Sequence, residues 1–182
     1  MKAIVCHALG EPDDLTLENI PEPQPGAGEV VIRVRAAALN FFDTLMIRGK
    51  YQHKPELPFS PGGELAGEIE QLGPGVTGLE VGQRVMAHVG WNGCREKTVA
   101  KARAVVPLPA EVSDEIAAGV TITYGTAMHG LKHRGRIAPG ETVAVVLYRF
   151  TDDDLDSTVA NLDIDEEDRP PLDELAAQKS PV

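Results

Sequence analysis

Cysteine is scarce in this 182-residue chain: Cys6 and Cys94 are the two it has. They are too few and too far apart for a disulfide framework, so both read as reduced thiols. No stretch approaches the ~20 apolar residues of a membrane helix. The opening Met1–Ala8 is too short an apolar run for a signal peptide. A soluble, cytoplasmic protein without a membrane partner is the expectation. Basic residues are also thin toward one end. Of 28 acids and 17 bases, 11 acids and two bases (Arg169 and Lys179) fall in Asp152–Val182, which leaves 17 against 15 for residues 1–151. A near-neutral body followed by an acidic tail offers no basic stripe to phosphates, which argues against nucleic acid as a partner.

Glycine stops early. The chain has 18, and none follows Gly140. After the Pro139-Gly140 turn, Glu141–Leu147 is an apolar, β-branched run of the kind that forms a buried parallel strand. Such a strand usually hands over to a glycine-rich loop and a helix whose amides grip a dinucleotide pyrophosphate. Here it hands over to Tyr148-Arg149-Phe150 and then to acids. A cradle of backbone amides needs residues without a Cβ, and this part is missing.

What is present is punctuated like a β domain. Lys2–Ala8 and Leu15–Ile20 are predicted strands, split by the Gly10–Asp14 turn cluster. Val30, Ile32, Val34 and Ala36 alternate with Val31, Arg33 and Arg35, giving one face to a core and the arginines to water. Further strands are predicted over Leu65–Gly73, Val81–Ala87 and Lys97–Val106, with glycines at the bends of a small, curved barrel. Helix enters only later: Ser113 caps, Asp114 and Glu115 fill a first turn, and Gly135 marks a C-terminal end. Gly119, Gly125 and Gly130 split this region into two short helices. The tail, Asp152–Val182, has few apolar residues and Pro170-Pro171 within it. It reads as mostly disordered, with a short helix at Leu172–Gln178.

One segment carries more. Gly62-Gly63-Glu64 precedes a strand, Gly73-Pro74-Gly75-Val76 makes a turn, and Val81-Gly82-Gln83-Arg84-Val85 comes next. Around it lie Ala38–Asp43, Arg48–Tyr51, Val105–Pro109 and Thr123–Ala127. This ordered set resembles the medium-chain dehydrogenase/reductase superfamily, in its zeta-crystallin-like quinone oxidoreductase branch, from Met1 to about Val146. The resemblance implies a mainly β fold with short helices: a chaperonin-10 (GroES)-like, partly open β-barrel over residues 1–112. Residues 113–147 would be connecting helices and the first strand of a truncated Rossmann domain, and 148–182 the tail.

The resemblance also implies an activity, NADPH-dependent hydride transfer to a quinone or an activated alkene carbonyl. No metal is expected, because Asn40 and Gly63 stand where zinc-dependent relatives place a Cys and a His. Nor do His7, His53, His88, His129 and His133 show ligand-like spacing with the cysteines. Tyr51 and Asp43 are the candidate catalytic residues, Tyr51 as a phenol beside the accepting oxygen. Asn40 near the ribose and Thr121 near the nicotinamide ring are the candidate cofactor-binding residues. Each has a plainer reading: Asn40 a helix cap, Asp43 a local acceptor, Tyr51 a rim aromatic. Glu64 reads either as an orienting group at a domain junction or as a carboxylate satisfied by amides. Cys94, beside the Arg95 cation, reads as an inert thiol ahead of a nucleophile. A second reading of the whole chain stays open: a non-catalytic remnant with exposed apolar surface, prone to self-association or to pairing with a full-length paralogue.

Overall fold

The computed structural model describes residues 1–143. Most of the strand expected at Glu141–Leu147, the acidic tail and its short helix lie outside the described residues. In chain order the elements are β1 (Lys2–Val5), β2 (Thr16–Asn19), β3 (Glu29–Ala38), α1 (Phe41–Ile47), β4 (Glu64–Leu72), β5 (Arg84–His88), β6 (Lys97–Lys101), β7 (Val105–Pro107), α2 (Asp114–Ala118) and α3 (Gly125–Met128). The chain divides into two compact units, Met1–Ile137 and Ala138–Val182. In the described part of the second, Gly140 turns with φ +91° and Glu141 returns its side chain to the Ala138 amide at 2.6 Å.

The first unit is mainly β and its sheets are open, the partly open GroES-like barrel that the resemblance implied. Five antiparallel strands run β6-β3-β4-β5-β7, and β1 pairs with β2 in a separate ribbon. Single bridges, Ala3 to Arg95 and Cys6 to Phe59, tie the ribbon to the rest. Alternating apolar positions on the middle strands meet in one core: Val30 and Ile32 from β3, Leu65 and Ile69 from β4, Val85 from β5, all at most 1% exposed. Each such side chain contributes roughly 1.5–3 kcal/mol by burial, so β3, β4 and β5 anchor the unit. Arg33 and Arg35 face water as expected and share Glu68, at 2.9 and 3.4 Å. Val31, expected beside them, is instead fully buried, next to a register shift between Val31 and Ile32.

Two predicted strands are corrected. Lys97–Val106 is not continuous: a tight turn at Ala102–Ala104 carries the chain from β6 at one edge to β7 at the other. The turn is fixed where the Ala102 amide reaches the Gly28 carbonyl at 2.9 Å. Val81–Ala87 shortens to β5, because Gly82 (φ +86°) turns there and leaves Val81 62% exposed. After β7, Ser113 caps α2 as predicted, its hydroxyl accepting from the Ile116 amide at 3.3 Å. Ala117 and Ala118 then pack against Ala66 on β4, where small side chains permit close approach. The region from Ser113 to Gly135, expected as two short helices, is more broken than predicted. Widened helical turns at Val120–Tyr124 and His129–Arg134 flank α3.

Candidate functional site

Glu64, the first residue of β4, is fully shielded from solvent yet gathers three donors from distant parts of the chain. Asn40 Nδ2 donates to one carboxylate oxygen at 3.0 Å. Thr121 Oγ1 and the Ile122 amide both donate to the other, each at 2.7 Å. The turn between β3 and α1 is thereby joined to the widened turn at Val120–Tyr124 across the end of the sheet. Of the two readings left open for Glu64, the bonds show the satisfied carboxylate, and its donors include two candidate site residues.

Asp43, in the first turn of α1, is the second buried carboxylate and is 2% exposed. It accepts from the Asn40 amide at 2.7 Å and from the Gly62 amide at 2.9 Å. These bonds fix the start of α1 against the Pro61–Gly63 loop that leads into β4. Burial pushes the Asp43 carboxyl above its ordinary 3.8, and the neighbouring Glu64 charge adds to the shift while the amides oppose it. The folded chain therefore holds this proton more tightly than the unfolded chain. The contribution to stability is greatest at low pH and is lost as pH rises through the interval above 3.8. An Asp43→Asn variant lacks the titration. The stability advantage of wild type over the variant should thus be larger in acid than at neutral pH, as urea unfolding at the two pH values would show.

Above this framework lies an open cleft of about 570 Å³. One wall is α1 and the loop after it, with Phe42, Met46, Tyr51 and His53. The end of β5 and the next loop add His88, Gly90 and Trp91, and the helical side adds Thr121, Ile122 and Thr126. The Tyr51 ring stands 5.3 Å from that of Phe42 and 5.7 Å from that of His53. Of the four candidates, Tyr51 and Thr121 line the cleft, whereas Asn40 and Asp43 stand behind it. Asn40 is connected to Thr121 through Glu64, and Asp43 to Asn40 through its amide. Three lining histidines, His53, His88 and His129, were not singled out in the sequence. They come from separate segments with no spacing to mark them.

Position 63 has a physical occupant. A Cβ built on Gly63 would fall 2.4 Å from Phe42 Cζ, so the phenyl ring fills the space a side chain there would need. Among the described residues, no three of His, Cys, Asp and Glu come together as a metal site would require. A Gly63→Ala variant should lose roughly 1–3 kcal/mol through this collision. Adding Phe42→Ala should return part of it, a coupling that a double-mutant cycle in urea measures.

Cys94 is not activated by the cation beside it. Arg95 directs its guanidinium to Ser60 Oγ at 2.9 Å. Burial, with the Asp43 charge second, pushes the Cys94 thiol up to about 11 from 9.0. The thiolate at neutral pH is then about 100-fold scarcer than for an unperturbed thiol. Alkylation of native protein should be correspondingly slow at Cys94 and reach the free-thiol rate on unfolding, which mass spectrometry of timed samples would track.

An open, mainly β domain with a few short helices is the architecture that the resemblance to the medium-chain dehydrogenases/reductases implied. Comparison with known proteins agrees. Residues 26–126 match the alcohol dehydrogenase GroES-like domain. A quinone oxidoreductase-like protein 2 homolog from Nematostella vectensis is 40% identical over 149 residues, 79% of this chain and 40% of that protein. The crystal structure of human synaptic vesicle membrane protein VAT-1 homolog-like protein superposes with a TM-score of 0.74 at 34% identity, covering 77% of this chain and 45% of that one. The quinone oxidoreductase of Thermus thermophilus, also determined in complex with NADPH, gives 0.67 at 40% identity, with 78% and 43% covered. The chain belongs to the alcohol dehydrogenase GroES-like domain family, among quinone oxidoreductase-like relatives. It spans about 40% of the length of the curated relatives it matches.

Proposed function

We propose that the chain supplies the acceptor-binding half of a zinc-independent, NADPH-dependent oxidoreductase acting on quinones or activated alkene carbonyls. The observation that carries this is the Glu64 cluster, which places Thr121 in one wall of a cleft whose other wall presents Tyr51. Zinc independence rests on Asn40 and Gly63 in the positions of the ligands, and on the Phe42 ring filling the space beside Gly63. A polarising metal being absent from this scheme, the Tyr51 phenol takes over the accepting oxygen by hydrogen bonding as negative charge develops there. Phe42, Met46 and Trp91 form apolar and aromatic walls that suit a planar acceptor and keep water from it. Asp43 acts indirectly, holding the loop before Glu64 and the start of α1.

NADPH, when bound, supplies the hydride. The residues present fit its nicotinamide end, with Thr121 in the cleft and Asn40 tied to it through Glu64. They do not supply a glycine cradle for its pyrophosphate, since none follows Gly140. Small-molecule acceptors and NADPH are thus the proposed ligands, and a full-length paralogue is the proposed protein partner. Monitoring nicotinamide absorbance with purified protein, NADPH and a panel of quinones tests the reading. Turnover that falls about 10²–10³-fold in Tyr51→Phe supports it. Absence of both turnover and enhanced cofactor fluorescence would reject it.

A further inference from the structure

Hydrogen-bond polarity in the cleft wall is set from beneath it. A carboxylate accepts and does not donate, whereas a threonine hydroxyl has one proton and two lone pairs. The 2.7 Å contact from Thr121 Oγ1 to Glu64 commits that proton inward. Two N–H groups, from Ile122 and Asn40, occupy the same carboxylate and leave both its oxygens acting as acceptors. Whatever part of the Thr121 oxygen meets the cleft therefore carries lone pairs alone. Of the other polar side chains lining it, those of Tyr51, His53, His88, Thr126 and His129 can each donate or accept by rotation or tautomer, and the Trp91 indole N–H only donates.

We propose that Glu64 is a positioning residue that makes Thr121 an obligate acceptor, so that the cleft takes at Thr121 a ligand group bearing an N–H or O–H. This rests on the function proposed above, under which that group is the amide NH₂ of the nicotinamide carboxamide. A ring carrying a carbonyl but no N–H fits the same space and is refused a partner. Discrimination of this kind arises from leaving a polar group unpaired in a confined site.

The experiment uses the full chain and NMR. Without ligand, the Thr121 hydroxyl proton should exchange with water at least about 10-fold more slowly than that of the exposed Thr126, being held by a carboxylate. Reduced nicotinamide mononucleotide and its 3-acetylpyridine counterpart are then titrated while the Thr121 methyl signal is monitored. The carboxamide ligand should bind about 5- to 10-fold tighter, one hydrogen bond's worth. Thr121→Val should erase the preference and Thr121→Ser keep it. Glu64→Gln, whose amide can donate as well as accept, should shrink it while the amide spectrum stays folded. Equal binding of the two ligands to wild type overturns the proposal and leaves the nicotinamide reading standing. If neither ligand moves the cleft signals, the nicotinamide reading fails for this chain. The polarity of Thr121 is then decided by the exchange arm alone: a protected hydroxyl upholds it, and a fast one overturns it.

Discussion

Glu64→Ala should cost the folded chain about 3 kcal/mol, with the urea midpoint falling and the slope unchanged. The figure is a balance. Removing a carboxylate that is 0% exposed relieves its desolvation, which can amount to several kcal/mol. Against this, three donors lose a charged acceptor, each orphaned group costing about 1–3 kcal/mol when water cannot replace it. Asn40, Thr121 and Ile122 are only half-buried, so water reaches some of them, but alanine also leaves a cavity at the first residue of β4. The orphaned donors and the cavity outweigh the relief. Glu68, four residues along the same strand, supplies the contrast. Its bonds to Arg33 and Arg35 lie at the surface, and Glu68→Ala should cost no more than about 1 kcal/mol. If the two substitutions proved equal in cost, Glu64 would not be holding the site together.

The glycines before Glu64 mark it apart from Glu68, but nothing local tells which of the two is buried, and this marks where reading the chain alone runs out. The β architecture was legible because its signals are local: alternation in β3, glycine and proline at bends, Ser113 ahead of acids at α2. The family motifs likewise pointed to Asn40, Asp43, Tyr51 and Thr121 without any fold in view. What they could not convey is which of them face the cleft. Tyr51 and Thr121 do, while Asn40 and Asp43 support from behind, because a carboxylate 24 and 57 residues away in sequence binds Asn40 and Thr121 together. The same limit applies to Lys97–Val106, whose β-rich composition hides a crossing between sheet edges that only the Ala102 to Gly28 bond reveals. It applies equally to His53, His88 and His129, which only tertiary folding brings to one cleft.

The turn Gly73-Pro74-Gly75 poses a similar choice, and there the expected difference is large. Gly75 has φ +79° and open space around it, so Gly75→Ala meets only the left-handed backbone penalty, about 1 kcal/mol. Gly73 has an ordinary backbone conformation, but a Cβ there would fall 2.0 Å from the Gly26 carbonyl oxygen and 2.8 Å from that of Glu29. Neither oxygen can swing away as a side chain would. The Gly73 amide is bonded to the Glu29 carbonyl at 2.8 Å, and the Gly28 amide to the Pro74 carbonyl at 2.8 Å, so the two segments are pinned together. Gly73→Ala must therefore push β3 and β4 apart where their pairing begins, beside Val30 and Leu72. We expect a loss of about 3 kcal/mol or more, read as a urea midpoint well below that of Gly75→Ala. Were Gly75→Ala the costlier of the two, dihedral freedom and not the crossing of two backbones would govern this turn, and the close seating of β3 on β4 that carries the core to the cleft would have to be reconsidered.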